Sequence, residues 1–92
     1  MMEKKNIFEQ KLSGNEKLVL AMVWNSPGIN FRRLLVACKE AAELDWNGVQ
    51  MAIYGLQNKH IIVEKMENRK VVFYVREIFS KDQIAKLLEY VP

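Results

Sequence analysis

The stretch DWNGVQMAIYGLQNKHIIVEKMENRKVVFYV, residues 45–75, changes its hydrophobic period once, and that change decides the fold. Val49, Ala52, Ile53 and Leu56 recur at the i, i+3, i+4, i+7 spacing of a helix with one buried face. Asn47, Gln50, Met51, Tyr54 and Gln57 fall on the opposite face, which is polar yet uncharged and so suits contact better than mere solvation. Asp45 is placed to cap this helix, where a carboxylate accepts a free amide and favours the positive end of the dipole. After Lys59 and His60 the pattern turns extended. Ile61-Ile62-Val63 and Val71-Val72-Phe73-Tyr74-Val75 are β-branched and aromatic runs joined by the polar turn Met66-Glu67-Asn68-Arg69-Lys70. A helix feeding a two-stranded hairpin with a basic tip is expected.

Upstream, Ser13 and Glu16 have the spacing of a capping box, so a helix is expected to start there. Leu18, Val19, Met22 and Val23 form its buried stripe, Trp24 covers the core, and Ser26-Pro27-Gly28 ends it. A second helix starts at Asn30, with Ile29 placed to pack on Leu34 as a hydrophobic staple. Its inward positions are Leu34, Leu35, Cys38 and Ala41 or Ala42. Ser80 and Gln83 repeat the capping spacing before a last helix towards Tyr90, whose apolar face is Ile84, Leu87, Leu88 and Val91, with Phe79 leading in. That face either completes the core or meets a second copy. Residues 1–12 read as a loose arm, 13–78 as the domain proper, and 79–92 as a terminal helix and possible dimerisation element.

Composition sets the bounds. Ninety-two residues, half of them hydrophobic, make one small domain with a single core. The lone Cys38 excludes an intramolecular disulfide and any multi-cysteine metal site, which points to a reducing, cytoplasmic compartment. No apolar run approaches the roughly 20 residues of a membrane span, and no signal-type core follows Met1 to Lys5. A net charge of +3 and a pI near 9.1 permit a nucleic-acid partner without arguing for one.

The segment Val49 to Ile62 resembles the recognition helix and first wing strand of winged helix-turn-helix DNA-binding proteins, as in small bacterial and archaeal transcription regulators. The aliphatic triplet Val49, Ile53 and Leu56, the polar stretch after it and the pair Ile61-Ile62 carry the likeness, and Asn30 to Leu35 is similar to the start of that family's second helix. The resemblance covers roughly Ser13 to Val75 and implies an α+β fold: a three-helix core, a two-stranded β-hairpin wing and a C-terminal helix. Two positions depart from the pattern. His60 stands where the family commonly has glycine for a left-handed helix exit. The outward face of the third helix also has no arginine or lysine before Lys59, so bidentate guanine readout is missing from its N-terminal half.

The resemblance implies double-stranded DNA as partner, with the third helix in the major groove. Asn47 and Gln50 can pair with adenine there, and Met51 and Tyr54 offer surface to thymine methyls or for stacking. Arg32 and Arg33 sit in the first turn of the second helix, against its dipole, a misfit that a phosphate would relieve. Lys65, Arg69 and Lys70 outnumber Glu64 and Glu67 on the wing, and Arg76 adds another cation for phosphate or the minor groove. Each feature has a plainer explanation in solvation of an exposed surface. Glu40, Glu43 and Asp45 form an acidic corner expected to face away from DNA. A homodimer reading two half-sites about one helical turn apart is expected, motivated by the terminal helix and the Ile7-Phe8 arm.

Enzyme chemistry finds no support. His60 is the one histidine, the four glycines are dispersed, and Cys38 lies on an inward face without a second ligand or base nearby. No cofactor, metal or small-molecule substrate is expected. The competing function keeps the fold and makes the Met51-Tyr54 face a protein-docking surface in a larger assembly. A third reading stacks single-stranded nucleic acid on Tyr54, Trp46 and the wing aromatics, rings that the core is expected to share.

Overall fold

A computed structural model describes residues 11–89. Four helices and a three-stranded sheet follow in the order α1 (Gly14–Asn25), β1 (Ile29–Asn30), α2 (Phe31–Ala42), α3 (Trp46–Asn58), β2 (Ile62–Glu67), β3 (Lys70–Val75) and α4 (Lys81–Glu89). This is the expected α+β winged helix-turn-helix. No helix among the described residues is long and apolar enough to cross a membrane.

The caps fall where the sequence places them. The Ser13 hydroxyl accepts from the Glu16 amide while the Glu16 carboxylate accepts from the Ser13 amide, and Ser80 and Gln83 repeat the exchange ahead of α4. Asn30 Oδ1 accepts from the Arg33 amide at 2.9 Å, and Asp45 Oδ1 from the Gly48 amide at 2.8 Å. Each bond satisfies a donor that the first helical turn leaves without an intrahelical partner.

The core gathers Val19, Leu20 and Val23 of α1, Leu34 and Cys38 of α2, Val49, Ala52, Ile53 and Leu56 of α3, and Ile61, Ile62 and Phe73 of the wing. In α1 the buried stripe is Glu16, Val19, Leu20 and Val23, so it is rotated from the expected one, and Leu18 and Met22 are only partly covered. Ala41 and Ala42 are exposed rather than inward. The reason is the exit of α2: Glu43 turns left-handed at φ 54, and the chain reverses to bring Leu44 against the core in their place. Leu12 is buried, and so are Phe79, Ile84 and Leu87. Ile84 and Leu87 of α4 thus complete this chain's own core, with Leu88 partly buried against it. Ile7, Phe8, Tyr90 and Val91 lie outside the described residues.

The sheet holds one strand that the sequence did not announce. Ile29 and Asn30 pair antiparallel with Phe73 and Val72, giving the order β1-β3-β2. Ile29 thus has a second role that the sequence did not suggest: it pairs with Phe73 while packing, directly before the Asn30 cap, against the core that contains Leu34. The hairpin strands also run closer to the tip than expected. Met66, Glu67 and Lys70 are paired strand residues, and the turn is only Asn68-Arg69, both with positive φ (51 and 65). Positive φ at both central positions is the turn whose twist matches a two-residue hairpin.

At the end of α3, His60 takes the left-handed conformation, φ 61, that glycine commonly supplies. Its amide donates to the Gln57 carbonyl and the Ile61 amide to the Leu56 carbonyl, at 3.0 and 2.9 Å. These are the two bonds of a Schellman exit, and the side chains of Leu56 and Ile61 that flank it are both buried.

Candidate nucleic-acid interface

Burying Val49, Ala52, Ile53 and Leu56 fixes the rotation of α3, and Asn47, Gln50, Met51 and Tyr54 therefore share its outer face. Met51 is 69% exposed and Tyr54 51%. No residue from Trp46 to Asn58 carries a charge. Gln50 Nε2 donates to Tyr54 Oη at 2.8 Å, one helical turn on, so the two polar groups form a unit. Farther along, Gln57 Nε2 donates to Glu64 Oε1 of β2 at 2.8 Å, which brings a carboxylate to the C-terminal half of the face. The N-terminal half is the part free of acid beyond its own cap, Asp45.

Three cations meet beside the start of α2. Arg32 and Arg33 stand in its first turn, which has no acidic residue, and β1–β3 pairing brings Lys70 to them from the wing. Asn30, Arg32, Arg33 and Lys70 line one depression together with Val36, Ala37 and Glu40. Glu40 was expected to face away with Glu43 and Asp45. It lies at this rim instead, because positions 33, 37 and 40 share one helical face. Three cations against one carboxylate leave the depression positive.

Phe31 extends the same depression with Asn30, Arg32, Lys70 and Val71. Its ring meets Trp46 edge to face, centroids 6.2 Å apart. The basic cluster is thus continuous with the start of α3. Trp46 is 53% exposed and is not shared with the core, contrary to expectation. Its place at the first helical position, one residue from Asn47 and four from Gln50, was the available sequence signal.

The remaining wing cations are not all equivalent. Arg69 occupies the tip turn and is exposed. Lys65 Nζ lies 5.0 Å from the centroid of the Tyr74 ring on the outer face of the sheet, apart from the Arg32–Arg33–Lys70 depression. Tyr74 Oη in turn donates to both Glu67 carboxylate oxygens, at 3.0 and 2.8 Å, and that hydrogen bond, with burial and the nearby negative charge, pushes its pKa up. Arg76 Nη1 donates to the His60 carbonyl at 3.3 Å, at the base of the wing rather than its tip.

Three packed helices, a short strand before the second, and a twisted hairpin after the third define the winged helix-turn-helix class. The solved structure of SSV1 F-93 is similar, with a TM-score of 0.72 over 86% of this chain and 87% of that one, at 19% sequence identity. No protein-family model and no curated protein sequence matches the chain. The structural likeness establishes the fold.

Proposed function

We propose that this chain binds double-stranded DNA and regulates transcription. The outer face of α3 enters the major groove with Asn47, Gln50, Met51 and Tyr54 towards the base edges. Arg32, Arg33 and Lys70 hold phosphates, and Arg69 reaches the flanking backbone or minor groove. Lys65 supports the wing contact from the outer sheet face. Residues 13–78 carry the interface. The observation behind this reading is the convergence of Arg32, Arg33 and Lys70 around one depression, adjacent through Phe31 and Trp46 to an exposed, uncharged helix face.

Fluorescence anisotropy on a mixed-sequence duplex over a range of salt tests it. Phosphate contacts release counterions, so log affinity should fall linearly with log salt, and the slope of Arg32→Ala/Lys70→Ala should be smaller by about two contacts. Absence of binding at low salt rejects the proposal.

A second reading has its own support: Trp46, Met51 and Tyr54 are large apolar or aromatic side chains left exposed on one side. A protein partner docked on them would bind with little salt dependence. For the DNA reading, a homodimer would present two α3 helices to half-sites about one turn apart. The α4 face does not recommend itself as the contact, its residues being used in the core. Sedimentation showing monomer with and without DNA removes the dimer.

A further inference from the structure

We infer that the duplex this protein selects carries an adenine opposite Gln50, read through an amide that Tyr54 holds in place. The inference rests on the DNA-binding reading above and specifies what its α3 face recognises.

A carboxamide has two N–H groups and one carbonyl. In Gln50 one N–H is committed to Tyr54 Oη at 2.8 Å, and Gln50 makes no other side-chain hydrogen bond among the described residues. What remains is one donor beside one acceptor. Adenine offers the complement in the major groove, an N7 acceptor beside an N6 amino donor. Guanine offers two acceptors, O6 and N7, and would set O6 against the Gln50 carbonyl oxygen. A cation normally answers guanine, and α3 has none from Trp46 to Asn58. Lys59, the next residue, is drawn to Glu16.

The Tyr54 bond matters because a free glutamine has three side-chain torsions to fix before it can present a planar donor–acceptor pair. Here residue 54, one turn along the same face, restricts them in advance, since i and i+4 positions stand one above the other. Met51, next to Gln50 and 69% exposed, brings an unbranched apolar side chain to the same stretch, suited to a thymine methyl. The face therefore rewards A·T pairs by hydrogen bonding and by apolar contact together.

Selection from a pool of random duplexes, followed by titration of the selected site, tests this. The expected site contains an adenine whose replacement by guanine weakens binding roughly 5- to 150-fold. Replacing the same adenine by 7-deazaadenine, which lacks only the N7 acceptor, should weaken binding by wild type and leave Gln50→Ala unaffected. Tyr54→Phe keeps the ring, loses the hydroxyl, and should discriminate less than wild type. If the pool is bound but the selected site is set by guanine, or 7-deazaadenine weakens Gln50→Ala as much as wild type, the assignment of Gln50 is wrong while DNA binding stands. If no duplex binds at low salt, both readings fall.

Discussion

Lys59 and Glu16, 43 residues apart, are joined by an ion pair of 2.6 Å that ties the end of α3 to the start of α1. Glu16 Oε1 also accepts from the Ser13 amide, and Lys59 Nζ donates to the Lys11 carbonyl. The helix that carries the candidate interface is therefore anchored at its far end by a nearly enclosed carboxylate with several partners.

Gly55 makes that anchor possible. A methyl at this position would land on the Glu16 carboxylate, which its partners prevent from swinging aside. Alanine gains about 1 kcal/mol in helix propensity, but displacing a charged hydrogen-bonding group loses about 1.5–3 kcal/mol. Gly55→Ala is expected to destabilise the chain by about 0.5–2 kcal/mol in urea denaturation. In a Glu16→Ala background the same substitution should stabilise by roughly 0.5–1 kcal/mol. The same sign in both backgrounds would show that the carboxylate is not what Gly55 accommodates.

His60 pays the left-handed penalty that a side chain incurs, roughly 1–2 kcal/mol, part of which glycine would return as greater freedom in the unfolded chain. His60→Gly should raise the melting temperature by a few degrees, a gain of about 0.5–1 kcal/mol, and His60→Val should lower it. A glycine variant that melts earlier would reveal a stabilising contact of the imidazole.

Cys38 has no exposed surface, and burial pushes its thiol pKa up from the ordinary 9.0. Because the folded value is the higher one, its contribution is whole below pH 9.0 and is lost as pH climbs through the folded pKa. The stability advantage of wild type over Cys38→Ala should shrink above that pH. At pH 8 iodoacetamide should label the thiol only as fast as the domain opens, and rapid native-state labelling would contradict the burial.

The wing lysines should separate in a salt titration. Lys70 lines the depression with Arg32 and Arg33, whereas Lys65 stands over the Tyr74 ring. Lys70→Ala is expected to lower the slope of log affinity against log salt by about one, and Lys65→Ala by distinctly less. Equal losses would place both on the phosphate backbone.

How much of this was legible in the sequence depends on how far apart the deciding residues are. The rotation of α3 and its caps follow from residues within one or two turns, so Val49, Ile53 and Asp45 could be read directly. The meeting of Arg33 with Lys70 could not. It depends on Ile29 and Asn30 pairing with Phe73 and Val72, a two-residue strand too short to have a period. The exposed aliphatic-looking end of α2 misled for a related reason: Ala41 and Ala42 fit a buried stripe, but the helix ends there and Leu44 takes the space. The Gln50–Tyr54 bond lies between these cases, a spacing visible in the sequence whose geometry was not.

The pairing of β1 with β3 has a kinetic and entropic consequence. The Gly28 amide donates to the Phe73 carbonyl at 2.9 Å, and Asn30 sits opposite Val72, so the start of α2 and the wing belong to one hydrogen-bonded body. Many basic sites are assembled only when loops close on an anion, and the ordering of those loops subtracts from affinity. Here the backbone leading to Arg33 and the strand carrying Lys70 are already joined by strand pairing. For the proposed phosphate contacts the backbone is therefore preorganised, and loosening the two short strand residues should weaken binding without removing a single charge.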